Sequence, residues 1–233
     1  MTSLWDKPCL YSPSLICLDL CNLESQTRIL ERGGIEAIHV DILDGHFSPS
    51  MPLGLDTVRQ LREKTDLAFD CHVMVTEQDY FINELLDIGA QQIVFHAETQ
   101  PHIDGTLNRI HNKGVRAGVA LKPATPLSTL EYVLDQCDTV LLMLINPGYA
   151  YVKGEKQTAY AERKIRELRQ MIDARGLNTK IELDGRISKE NIQKYWNLAD
   201  EFVVGSTCLR RQELERSLQE LQTLRENLTG GAS

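Results

Sequence analysis

An eightfold alternation of short apolar runs with longer amphipathic stretches predicts an α/β chain folded as a (β/α)8 barrel. Three observations carry that expectation. The eight strand-like runs are largely apolar throughout, as in a parallel sheet covered on both faces. The chain has 233 residues, near the ~250 typical of such barrels. No GxGxxG or GxxxxGKS/T turn follows the first strand, which weakens the alternative of a doubly wound open sheet. No linker-like stretch divides the chain, so one domain is expected over residues 1–233, with a short flexible tail from about 229.

The elements follow in strict order. The first strand begins at Tyr11 (YSPSLIC) and leads to a helix over 23–32. The run from Glu36 (EAIHVDI) leads to a helix over 55–63, and that from Ala68 (AFDCHVMV) to one over 79–88. QIVFH from Gln92 and VRAGVAL from Val115 precede helices over 107–112 and 127–134. TVLLMLI from Thr139, KIELD from Lys180 and EFVVG from Glu201 precede helices over 162–174, 189–196 and 214–228.

Several classes of protein are set aside. The longest apolar run, 140–145, is far too short to span a bilayer. The opening MTSLWDKPCL lacks the basic start and apolar core of a signal peptide, so a cytoplasmic protein without a membrane partner is expected. Six cysteines are scattered without a CxxC pair, and buried free thiols are expected. The net charge is -8 and no basic cluster is interleaved with aromatics, so no nucleic-acid partner is expected.

One stretch breaks the pattern of an apolar strand. IHVDILDGH, residues 38–46, sets a histidine and an aspartate two residues apart inside an apolar run. Burying an unpaired carboxylate costs several kcal/mol or more. Strand side chains alternate, so His39 and Asp41 share one face; Asp70, His72 and Met74 share one on the third strand, and Glu182 and Asp184 on the seventh. In a barrel, inward residues at the C-terminal strand ends meet around the mouth. His39, Asp41, His72 and Asp184 therefore converge, and a divalent metal held by two imidazoles and two carboxylates would neutralise both acids.

Beyond spacing, the chain resembles the ribulose-phosphate 3-epimerase family nearly end to end. Ser12-Pro13-Ser14-Leu15, HVDILDGHF (39–47), CHVMV (71–75), FHAET (95–99), GVALKPATP (118–126), LLMLINPGY (141–149), LDG (183–185) and VVGS (203–206) follow in that family's order. The resemblance implies a TIM barrel with one divalent ion, zinc first and otherwise iron, manganese or cobalt, on His39, Asp41, His72 and Asp184. It implies Asp41 and Asp184 as the acid–base pair inverting C3 of a phosphorylated ketose through an enediolate. The implied substrate contacts are Ser14, His72, Gly148, Gly185, Gly205 and Ser206. Met74 and Met143 match methionines lining the family's pocket, and a third is replaced here by Leu43. A homo-oligomer, dimer or hexamer, is implied as well.

Two departures stand out. The family's NPGFGGQ loop becomes Asn146-Pro147-Gly148-Tyr149-Ala150-Tyr151, which loses glycines that let backbone approach an anion. Its DGG becomes Asp184-Gly185-Arg186, and an arginine there can grip phosphate in place of backbone donors. These changes admit another ketose phosphate, such as allulose 6-phosphate, as the substrate. Metal-dependent isomerisation or aldol cleavage and non-catalytic sugar-phosphate binding are the other readings.

Overall fold

The computed structural model describes residues 3–148, 152 and 154–230. Its frame is eight parallel strands: β1 Leu10–Pro13, β2 Ala37–Leu43, β3 Ala68–Met74, β4 Gln92–His96, β5 Arg116–Leu121, β6 Thr139–Met143, β7 Lys180–Asp184 and β8 Glu201–Val204. Each pairs with its neighbour in chain order, and β8 returns to β1. The remaining seam, β1 to β2, is bridged at Ser14 and His39. The expected barrel is the observed one.

Seven α-helices cover it: α1 Leu23–Arg32, α2 Leu55–Arg62, α3 Gln78–Ile88, α4 Ile103–His111, α5 Ala161–Ala174, α6 Lys189–Tyr195 and α7 Leu214–Gly230. The eighth expected helix, over 127–134, does not form. That connection is made of 3-10 turns at Leu127–Leu130 and Leu134–Gln136. The reason lies in a spacing of three. Leu127, Leu130 and Val133 recur at the 3-10 period, and Glu131, Val133 and Gln136 each donate to the carbonyl three residues back. Helix α4 starts four residues earlier than expected, because Gly105 in its first turn disguises the beginning. Helix α7 continues through Gly230, and the rest of the expected tail, 231–233, lies outside the described residues.

Outward strand residues such as Ile38, Val40, Phe69, Val73, Phe95, Leu142 and Phe202 pack beneath the helices as the main core. The barrel interior is not uniformly apolar. Val94, Ala120, Leu141, Met143 and Ile145 fill the β4–β6 side. The β2–β3–β7 side holds His39, Asp41, Asp70, His72, Glu182 and Asp184 instead. At the N-terminal end of the strands a short 3-10 turn, Leu4–Asp6, buries Trp5 against Leu10 and Ala37, with the Arg116 guanidinium 5.1 Å from its ring centroid. Trp5 thus covers the starts of β1 and β2. No helix of the described residues is long and apolar enough to cross a membrane, and all six cysteines are free.

Trp5→Ala should cost about 3 kcal/mol, the low end for removing a buried aromatic. Urea denaturation measures it; an unchanged midpoint would mean that the packing of Trp5 on Leu10 and Ala37 adds no stability.

Candidate active site

The register of β2 on β3 sets the site. It pairs His39 with Asp70 and Asp41 with His72, so four polar side chains enter the barrel in two adjacent rows. Asp184, at the end of β7, reaches the same point from across the interior. His39 Nε2 lies 3.4 Å from Asp41 Oδ1. His72 Nδ1 lies 3.6 Å from that oxygen and 3.8 Å from Asp184 Oδ2. These separations exceed good hydrogen-bond lengths.

The opposite nitrogen of each ring is already engaged. His39 Nδ1 meets Asp70 Oδ2 at 2.7 Å, and His72 Nε2 meets His96 Nε2 at 3.0 Å. His39 Nε2 and His72 Nδ1 are buried and make no hydrogen bond with the described residues. The four donor atoms lie within 4.8 Å of one another. A tetrahedral ion with ligand bonds of ~2.0 Å would set them about 3.3 Å apart, so the donor set and its spacing fit a divalent metal.

The two acids differ electrostatically. Burial works against the charged form of Asp41, but His39 and His72 outweigh it and hold its pKa below the usual carboxylate range. Burial raises the pKa of Asp184 from its ordinary value, with the Asp41 charge adding to the effect and the histidines opposing it. Burial also opposes a charged His39, yet Asp41 and Asp70 on either side raise its pKa well above the usual imidazole value.

The other sequence-derived positions surround one cavity above the acids. Ser14 lines it and donates to Asp41 Oδ2 at 2.7 Å, which fixes the carboxylate's orientation. Met74, Met143 and Leu43 form an apolar wall. Gly148, Gly185, Arg186, Gly205 and Ser206 form the rim. His72 is fully buried behind Asp41 and is not among the residues lining the cavity.

Gly148 has φ +77°, and a Cβ there would fall 1.4 Å from Ser48 Oγ. The loop after β6 thus presses on the loop after β2 at a point where no other residue fits. Arg186 adopts φ +52° without being glycine, and its Nη2 donates to the Val152 carbonyl at 3.0 Å. It ties the turn after β7 to the altered loop. Tyr149, Ala150, Tyr151 and Lys153 lie outside the described residues.

Sequence reasoning left several residues without a role. Cys17, Ser50, Ile145 and Thr207 also line the cavity. Beneath the acids lies a buried polar layer. Asp70 accepts from Ser12 and Gln92; Gln92 also donates to Glu201 and accepts from Thr139 and Arg116. Glu182 stands 3.2 Å from His39 Nδ1. The signal was available: Asp70 and Glu182 sit two residues before His72 and Asp184, on the same strand face.

Glu201 yields a pH test. Burial, reinforced by the charge of Asp70 and opposed by Arg116, pushes its pKa up to about 8 from an ordinary 4.5. Between those values the folded protein holds a proton that the unfolded chain releases, so stability falls as pH rises through the window. Chemical denaturation at pH 5 and pH 8 should show a larger loss for wild type than for Glu201→Gln. Equal losses would place the titration elsewhere.

A parallel barrel with ligand-type side chains at the C-terminal mouth has the layout of barrel enzymes. Residues 10–209 match the family model described as the Ribulose-phosphate 3 epimerase family. The chain is 36% identical over 216 residues to ribulose-phosphate 3-epimerase of Bacillus subtilis, covering 91% of this chain and 97% of the relative. It is 33% identical over 219 residues to the Escherichia coli K12 enzyme of the same name, covering 93% and 96%. In fold it is similar to 3-hexulose-6-phosphate synthase from Salmonella typhimurium, with TM-score 0.67, 14% identity and coverage of 92% of this chain and 97% of that one. The chain belongs to the ribulose-phosphate 3-epimerase family and is an isomerase of the epimerase kind.

Proposed function

We propose that this protein inverts C3 of a phosphorylated ketose of the ribulose 5-phosphate/xylulose 5-phosphate type, with Asp41 and Asp184 as the acid–base pair. The observation that carries the reading is the convergence of those two carboxyls, with His39 and His72, on one point below a cavity that both acids line. Inversion beside a ketone removes a proton from one face of the carbon and returns one to the other. Two carboxyls reaching in from β2 and β7 suit that task, whereas one base serves a single face.

His39, Asp41, His72 and Asp184 would hold one divalent ion, zinc first. Such an ion would supply positive charge to the substrate oxygens beside the reacting carbon. The chain's own groups do the rest. Ser14 keeps Asp41 aimed, and the histidines beside Asp41 favour its ionised form. Asp184, reaching the same point from across the barrel, stands where a partner acid is needed. Leu43, Met74 and Met143 exclude water from the reacting carbon.

The phosphate end would lie at the rim of Gly148, Gly185, Gly205 and Ser206, with Arg186 as its cation. A second reading follows from Arg186 itself. A side chain holding a left-handed backbone costs ~1 kcal/mol or more, and the altered loop beside it favours a different ketose phosphate, such as allulose 6-phosphate.

In D2O, turnover should place deuterium at C3 of the sugar phosphate; deuterium at C1, or cleavage into two fragments, would overturn the reading. Asp41→Asn and Asp184→Asn should each lose about 10²–10⁴-fold in kcat, by coupled assay on C3-epimer pairs of ketose phosphates. Arg186→Ala should raise KM for the phosphorylated sugar about 10-fold or more, the usual worth of a hydrogen bond to a charged group, with kcat less affected. An unchanged KM would remove Arg186 from the phosphate site.

A further inference from the structure

Behind the candidate metal ligands, a row of side chains leads away from the cavity. His72 Nε2 faces His96 Nε2 at 3.0 Å, and His96 Nδ1 faces Glu98 Oε2 at 2.8 Å. His96 is fully buried at the end of β4. Its ring lies between the Phe47 ring, 4.6 Å away between centroids, and the His72 ring, 5.0 Å away. Its carbonyl accepts from Gln78 Nε2 at 2.8 Å. Neither backbone nor ring is free to turn.

Glu98 is surrounded by donors. Its Oε1 accepts from the Lys122 amide at 2.7 Å and from the Thr125 hydroxyl, while Oε2 meets His96. A carboxylate can accept all three; a carboxamide offers only one oxygen and would turn an N–H toward one of them.

This pattern has one consistent assignment of hydrogens. If His72 Nδ1 ligates an ion, the ring's hydrogen must sit on Nε2 and point at His96. His96 Nε2 must then be bare, which puts its own hydrogen on Nδ1, pointing at Glu98. We propose that Glu98 and His96 are positioning residues, a hydrogen-bonded relay that locks His72 in the tautomer whose Nδ1 is open toward Asp41 and Asp184. The proposal rests on the metal reading above. It assigns to β4 and the turn after it a part in metal retention, although neither residue lines the cavity.

Reversing the polarity at Glu98 should propagate. In Glu98→Gln an amide N–H facing His96 Nδ1 makes that nitrogen an acceptor and moves the hydrogen to Nε2. Two hydrogens then compete between the rings, and relief comes when His72 moves its own to Nδ1, the ligating position.

The test measures zinc(II) and cobalt(II) affinity by competition with a chromophoric chelator, on wild type, Glu98→Gln and Thr125→Val. Glu98→Gln should bind both ions about 10–100-fold more weakly, the usual cost of disturbing a ligand's hydrogen-bonded partner. Thr125→Val, which removes a loop contact to Glu98 outside the relay, should bind as wild type does. Equal affinity in wild type and Glu98→Gln, or equal weakening in Thr125→Val, overturns the relay and leaves the metal reading standing. A wild type that binds neither ion overturns the metal reading itself. Nitrogen-15 spectra of the histidines in zinc-loaded wild type ask the question without substitution. A hydrogen on His72 Nε2 and on His96 Nδ1 supports the relay; zinc on His72 Nε2 overturns it.

Discussion

A barrel of eight strands must fill its own interior, and this one fills the β2–β3–β7 side with imidazoles and carboxyls. Asp41, Asp70, Glu182 and Asp184 stand around His39 and His72 in the barrel interior. Carboxylates so buried repel one another and forgo water, a combination that costs several kcal/mol per uncompensated charge. The histidines offset part of it from within, and a bound cation would offset most of the remainder. The rings are oriented by their outer nitrogens, His39 against Asp70 and His72 against His96.

The rim is built from loop contacts rather than strand side chains. The β6 loop can rest on Ser48 only because Gly148 has no side chain, and Arg186 reaches back to the same loop from a left-handed turn. The proposed acid–base residues therefore sit on strands, and the proposed phosphate contacts sit on turns. This division lets the loop after β6 and the turn after β7 differ from the family's glycine-rich pattern while His39, Asp41, His72 and Asp184 keep their places.

Much of this was readable before any coordinates. The eight strands begin within a residue of where their apolar runs do, because each run is short and bounded by polar residues. Period-two alternation placed His39 with Asp41 and Glu182 with Asp184. The helix expected over 127–134 is replaced by 3-10 turns because apolar positions spaced by three satisfy either form in so short a segment. His96 and Glu98 were visible only as a matching motif. Their part depends on which nitrogen of His72 faces inward, a rotation about side-chain bonds that strand phase does not constrain.

The sequence by itself determined the alternation of elements, the inward phase of each polar strand residue and the family. These follow from backbone geometry and from the order of short motifs along the chain. Tertiary structure alone decided which atoms face one another: the orphaned nitrogens of His39 and His72, the hydroxyl of Ser14 on Asp41, the burial of Glu201 against Gln92 and the close approach of Gly148 to Ser48. Those contacts join residues from 27 to 109 positions apart. Register between strands and the choice of rotamer set them, and both are settled only when the barrel closes.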